Sequence, residues 1–213
     1  LTRHAHHPSD RHGDFDAWAP TYDRSALQRV FFDRMHGRVV RELRPLLRGV
    51  AAPVVVDVGC GTGRLLSRLR SAFPAATLNG IDAAAGMIEV ASRKPELAGV
   101  RLSVAKADAL PLEDASCDAV VSTISFHHWD DQAAGLREVA RVLRPGGHVL
   151  LVDFVIRGVL APLTRRLVGG HGVGLRSDGE LLRLMHDASL RAAEYVRVGP
   201  PGSPLGIMVA TRL

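Results

Sequence analysis

Two acids and a pair of imidazoles are the side chains in this sequence whose types and spacing suit chemistry. Asp57 ends the β-branched run Val54-Val55-Val56 and is followed by Gly59, Gly61 and Gly63 in alternation. Glycines in that position make a tight turn in which bare backbone can meet a ligand. Asp57, at the carboxyl end of its strand, is expected to point its charge into the same crevice, repelling phosphate and attracting an ammonium. Asp82 falls about 20 residues beyond the last glycine, where ribose-binding folds place the acceptor for two sugar hydroxyls. It would also cap a helix running from Ala83 to Arg93, and the two roles are compatible. His127 and His128 are adjacent in Ser125-Phe126-His127-His128-Trp129. An imidazole with a pKa near about 6.5 suits proton removal from a hydroxyl or an acidic carbon.

The elements that must position these groups alternate along the chain. After the glycines, Leu65, Leu66, Leu69 and Phe73 recur at helical spacing. Thr77 to Ile81 reads as a second strand ending at Asp82, and Val100, Leu102 and Val104 alternate as a third. Cys117 to Val121 enters a central strand. A helix from Asp131 carries Leu136, Val139, Ala140 and Leu143 on one stripe and is expected to stop at Pro145-Gly146-Gly147. His148 to Phe154 is the fifth strand. Ser177 and Glu180 form a capping box for a helix to Ala188, and Glu194 to Val198 and Leu205 to Thr211 are the last two strands. Ahead of the glycine turn, Leu27 to Leu47 is expected to be a helix covering the sheet edge or the site mouth, with Met35, Val39 and Leu43 on its apolar stripe before Pro45. Strands alternating with helices imply an α/β domain built on a largely parallel sheet.

The run Val56-Asp57-Val58-Gly59-Cys60-Gly61-Thr62-Gly63 resembles the first motif of the class I S-adenosylmethionine-dependent methyltransferases, and Arg137 through Gly147 resembles another stretch of the same family. The resemblance covers about Phe15 to Leu213. It implies a three-layer Rossmann-like fold with a mostly parallel seven-stranded sheet and an antiparallel last strand. It also implies S-adenosyl-L-methionine as cofactor, S-adenosyl-L-homocysteine as product, and a small organic methyl acceptor such as a phenol, enol or amine. The cofactor would then meet Asp57, Gly59, Gly61 and Gly63, Asp82 and Ala83, and further on Asp108, Ala109 and Ser125. Met87 would lie near the adenine face. Asp108 would take the adenine amino group, which an ionised carboxylate suits because it only accepts. Tyr22, in the aromatic segment from Phe15, would offer its hydroxyl to the amino-acid end of the cofactor as part of a lid. Family members often carry histidine after the fourth strand, and His127 is the expected base, with His128 second. Because the two are adjacent their side chains should diverge, so that at most one faces the pocket. Both could equally pack beneath the lid in structural hydrogen bonds.

At 213 residues and 46% hydrophobic content the chain suits one domain. Residues 1–14 are polar and His-rich and are expected to be a disordered tail; 15–213 form the domain, with 15–50 as a helical lid and 155–176 as a substrate-region insert. The net charge of +5 is spread along the sequence, and Lys94 and Lys106 are the lysines among 27 basic residues. Dispersed arginine reflects composition more than a nucleic-acid footprint, so no nucleic-acid partner is expected. Cys60 and Cys117 make neither a disulfide framework nor a metal-type pair, and no metal is expected. No apolar stretch reaches the roughly 18 residues of a membrane span, and a cytoplasmic location is expected. Two other readings stay open. A non-catalytic nucleoside- or S-adenosylmethionine-binding regulatory protein would use the same crevice. An NAD-dependent oxidoreductase would also use Asp82, but the glycine spacing, the phosphate-repelling Asp57 and the lack of a Tyr-x-x-x-Lys pair oppose it.

Overall fold

A computed structural model of the chain describes residues 26–156, 174–198 and 204–213. The expectations for the tail, for Tyr22 and its aromatic segment, and for most of the 155–176 insert lie outside these residues. The described elements are α1 (Ala26–Leu46), β1 (Val54–Val58), α2 (Arg64–Ala72), β2 (Thr77–Asp82), α3 (Ala85–Ser92), β3 (Arg101–Val104), β4 (Cys117–Thr123), α4 (Gln132–Val142), β5 (Leu143–Ile156), β6 (Arg176–Ser177), α5 (Asp178–Asp187), β7 (Leu190–Arg197) and β8 (Leu205–Arg212), with short 3-10 turns at Pro95–Leu97 and Phe126–His128.

Seven strands lie in the order β3-β2-β1-β4-β5-β8-β7, and the two-residue β6 pairs with the end of β5. β1 pairs in parallel with β2 and β4, and β4 with β5. β8 runs antiparallel to both β5 and β7. The sheet is therefore mostly parallel with an antiparallel last strand, which enters between β5 and β7. Its central strands are apolar on both sides because helices cover both faces. Val55, Val121, Leu150, Val152 and Ile207 join Met35, Val39 and Leu43 of α1 and Leu65, Leu66 and Leu69 of α2 in one cluster. Val56, Val120, Val149, Leu151 and Met208 join Leu136 and Val139 of α4 and Leu181 and Met185 of α5 in the other. Alternating strand residues thus feed opposite layers, as the two-residue repeat of a strand requires.

Helix α1 packs on a face of the sheet, with Met35, Val39 and Leu43 fully buried against central-strand residues, and of the edge and the site mouth it is the mouth that it covers. Two expectations are corrected. Helix α3 begins at Ala85 and not Ala83, because Asp82 Oδ1 accepts from Ala84 N at 2.9 Å and Ala84 itself is extended. Strand β5 begins at Leu143, ahead of the Pro145-Gly146-Gly147 stop, with a shift of register between the pairs Cys117–Leu143 and Ala119–His148. The proline and glycines are taken up in that irregularity, where Gly146 has φ +79°. The capping box forms as expected: Ser177 accepts from Glu180 N, and the Glu180 carboxylate accepts from Ser177 N at 2.9 Å.

Candidate active site

The carboxyl ends of β1, β2 and β4 open onto a cleft, where parallel α/β sheets hold ligands. The glycine turn forms its floor. Gly59 has φ +75°, and a Cβ built there would stand 1.8 Å from Ser125 Oγ, so the loop after β4 closes directly against this glycine. Gly61 has φ +53° with open space at the Cβ position, leaving bare backbone toward the cleft. Asp82 fixes this turn: its Oδ2 accepts from Gly61 N at 2.8 Å.

Asp82, Ala83, Met87, Asp108 and Ser125 all line the cleft together with Gly59 and Gly61. Gly63 starts α2 without lining the cleft, and Ala109 sits one residue beyond the lining Asp108, its N bonded to Lys106 O. The segment carrying Asp108 is held from α4. Glu138 accepts from Leu110 N at 2.9 Å, and Arg141 donates to Leu112 O and Leu110 O. Arg141 beside it also holds the Glu138 carboxyl below its usual range.

Asp57 departs from expectation. It is 1% exposed, does not line the cleft, and neither of its oxygens has a hydrogen-bond partner among the described residues. Burial, and secondarily the charge of Asp82, raise its pKa to about 8. Strand parity gives Asp57 the face of Val55, under the α1 and α2 layer, where it is buried short of the cleft yet near enough to Asp82 for that charge to act on it.

The two histidines are also arranged differently from expectation. They do not diverge: their ring centroids are 3.9 Å apart. His128 lines the cleft. His127, the expected base, is 7% exposed, and its Nδ1 lies 2.6 Å from Asp153 Oδ1. Buried Gln132 ties this turn to the chain ahead of α5, donating to Phe126 O and Gly174 O and accepting from Arg176 Nε.

Several lining residues were not among the expected site residues. Phe32 and His36 reach the cleft from α1, and Arg64 reaches it from the first turn of α2. His36 is buried with no partner for Nδ1, and desolvation, then the charges of Arg64 and Arg68, lower its pKa to about 4. It is therefore neutral at physiological pH. Only its place on the helical stripe with Met35 hinted that it turns inward.

Comparison with known proteins decides the family. A methyltransferase-domain family model matches residues 56–151. The ubiquinone/menaquinone biosynthesis C-methyltransferase UbiE of Syntrophotalea carbinolica is 30% identical over 186 residues, covering 82% of this chain and 76% of that protein. The chain belongs to the class I S-adenosylmethionine-dependent methyltransferases. Another methyltransferase, the malonyl-[acyl-carrier protein] O-methyltransferase of Hahella chejuensis, is 38% identical over 136 residues, 64% of this chain and 46% of that protein. The chain thus spans about half the length of that relative. Among solved methyltransferase structures, the geranyl diphosphate C-methyltransferase of Streptomyces coelicolor, in complex with S-adenosyl-L-homocysteine, superposes with a TM-score of 0.68 at 17% identity, covering 85% of this chain and 82% of that one. That likeness is one of fold. Among the described residues no group of three or more possible metal ligands occurs, and no helix is long and apolar enough to cross a membrane.

Proposed function

We propose that this methyltransferase binds S-adenosylmethionine in the cleft above the glycine turn and transfers its methyl group to a small organic acceptor. The observation that carries the reading is Asp82. It stands at the end of β2 with one oxygen on the glycine turn, on a cleft that Asp108 also lines. The residues present suit the cofactor. Asp82 would take the ribose hydroxyls, Asp108 the adenine amine, and Met87 the adenine face, while Gly61 lets the backbone approach. Arg64, on the same cleft, supplies a cation for a carboxylate. When bound, the cofactor supplies a methyl already activated by a sulfonium, open to in-line displacement. The chain's task is then positioning and exclusion of water, which can supply several kcal/mol of the barrier reduction. His36, Phe32 and Trp129 close around the cleft and restrict water.

Relatives differ in acceptor by their names, one being a malonyl-[acyl-carrier protein] O-methyltransferase and another a C-methyltransferase of ubiquinone/menaquinone biosynthesis. The acceptor of this chain is read as a metabolite-sized molecule in a cytoplasmic setting, with the two buried free thiols suited to a reducing compartment. The test is calorimetry with S-adenosylmethionine, S-adenosylhomocysteine and NAD, followed by a screen of pooled metabolites with labelled methyl donor. Binding of the first two ligands and label transfer are expected; saturable NAD binding with neither of these overturns the reading. An Asp82→Asn variant is expected to weaken cofactor binding about 10- to 100-fold, in line with about 1.5–3 kcal/mol for a hydrogen bond to a charged group. Unchanged affinity in the calorimeter removes the ribose role. A regulatory, non-catalytic protein would bind the cofactor and transfer no label to any acceptor.

A further inference from the structure

We propose that His36 binds the methyl acceptor and selects a hydroxyl, as in a phenol or enol, over an alkylammonium. This rests on the methyl-transfer reading above and narrows its acceptor class. His36 lies on α1, is 4% exposed and lines the cleft. Asp82, Met87 and Asp108, read above as holding the adenosyl group, come from β2, α3 and the segment after β3, all to one side of β1 in the strand order. Helix α1 packs against α2 and against β5, which lies to the other side of β1. The imidazole thus reaches the cleft from an element remote from the adenosyl end, on wall left for the acceptor.

Among the described residues no hydrogen bond reaches the ring, and its Nδ1 is enclosed. A molecule in the cleft therefore meets the imidazole through Nε2. An unbonded polar group at this depth is unfavourable in the free protein, and a ligand that reaches it relieves the deficit. Phe32 stands beside it, with ring centroids 5.6 Å apart, and also lines the cleft, giving a planar acceptor an apolar surface.

The surrounding charges settle which polar group suits the ring. Burial first, then Arg64 and Arg68, disfavour protonation of His36, against the opposing charge of Asp33. Both guanidiniums reach the same Asp33 oxygen, Arg68 at 2.9 Å and Arg64 at 3.3 Å, so positive charge is in excess beside the ring. An alkylammonium is repelled there. A neutral imidazole presents at Nε2 either an N–H or a bare lone pair. An ammonium only donates and suits the second form alone, whereas a hydroxyl donates or accepts and suits both. So weakly basic a ring is a hydrogen-bonding partner of the acceptor and not the group that takes its proton.

The test uses the full chain saturated with S-adenosylhomocysteine and two probes of similar shape, phenol and benzylamine, at pH 7. Phenol is expected to bind at least about 10-fold more tightly than benzylamine and to shift the His36 Nε2 resonance in long-range ¹H–¹⁵N correlation. His36→Phe, which keeps a ring and removes both nitrogens, should weaken phenol about 10-fold, the loss of one hydrogen bond. His36→Gln should restore part of that affinity, and S-adenosylhomocysteine affinity should stay within twofold in both variants. In the pooled screen, label should pass to hydroxyl compounds and not to alkylamines, and His36→Phe should raise KM for the hydroxyl acceptor more than it lowers kcat. Should His36→Phe fail to fold, His36→Gln and the two probes on the wild-type chain carry the test. Phenol that does not bind the wild-type chain, phenol affinity equal in wild type and variants, or benzylamine bound as tightly as phenol overturns the proposal, and so does label on alkylamines. Each leaves the methyl-transfer reading standing as long as S-adenosylhomocysteine binds. A loss of S-adenosylhomocysteine affinity in His36→Phe that His36→Gln restores gives the ring to the cofactor and also overturns the proposal. A wild-type chain that binds neither S-adenosylmethionine nor S-adenosylhomocysteine overturns the methyl-transfer reading, and the acceptor preference with it.

Discussion

A Gly59→Ala variant is expected to lose cofactor binding and several degrees of melting temperature. Two costs add at this position. The backbone sits at φ +75°, where a Cβ costs about 1–2 kcal/mol. The new methyl would also stand 1.8 Å from Ser125 Oγ and 2.4 Å from Ser125 Cβ, an overlap that requires the post-β4 loop to move. Overpacking of this kind costs about 1–3 kcal/mol. Because the same loop carries the His127 and His128 turn, the displacement reaches the wall of the cleft as well as the floor. Ser125→Gly in the same chain should relieve the overlap but not the backbone strain, and so recover about half of the loss. Thermal melts and calorimetry check this; a single variant that melts and binds like wild type removes the close approach of loop and glycine turn.

Asp57→Asn is expected to flatten the pH dependence of stability between about pH 4 and about 8. Burial and the neighbouring Asp82 raise the Asp57 pKa from 3.8 to about 8. The folded state therefore holds a proton that the unfolded chain releases across that interval. The stability it contributes is fully present below pH about 4 and is lost as pH rises through about 8. The slope can reach about 1.4 kcal/mol per pH unit, so the loss amounts to a few kcal/mol between pH 5 and 8. An amide of the same shape does not titrate. Urea denaturation at pH 5, 6.5 and 8 should show the variant gaining on wild type steadily with pH. Parallel stability curves for the two chains would mean that Asp57 is not buried without partners.

The cleft is the part of this molecule that local sequence describes best. A β-branched run followed by alternating glycines, and an acid about 20 residues later, are patterns within single βαβ units, and the unit folds as they say. Asp82 then binds the glycine turn through Gly61 N. Its place at the end of β2 could be read from spacing, but its hold on the turn could not. The Ser177 and Glu180 box is of the same local kind, with both partners within one helical turn.

What the sequence by itself determined is the alternation of strands and helices, the glycine floor and the candidate acids on it, because these depend on contacts a few residues apart or on one repeated unit. Only the tertiary structure decided which side chains face the cleft. Asp57 turned under α1 and α2 because strand parity, set by the whole sheet, gives its position to that face. His127 turned toward Asp153, and His128 toward the cleft, because a carboxylate 26 residues away in β5 captures one ring and not the other. His36 entered the cleft because α1 lies across the sheet face, a docking fixed by apolar residues from α2, β1, β4 and β5 together. The orientation of each of these groups is settled by neighbours from other elements, and no local spacing encodes that.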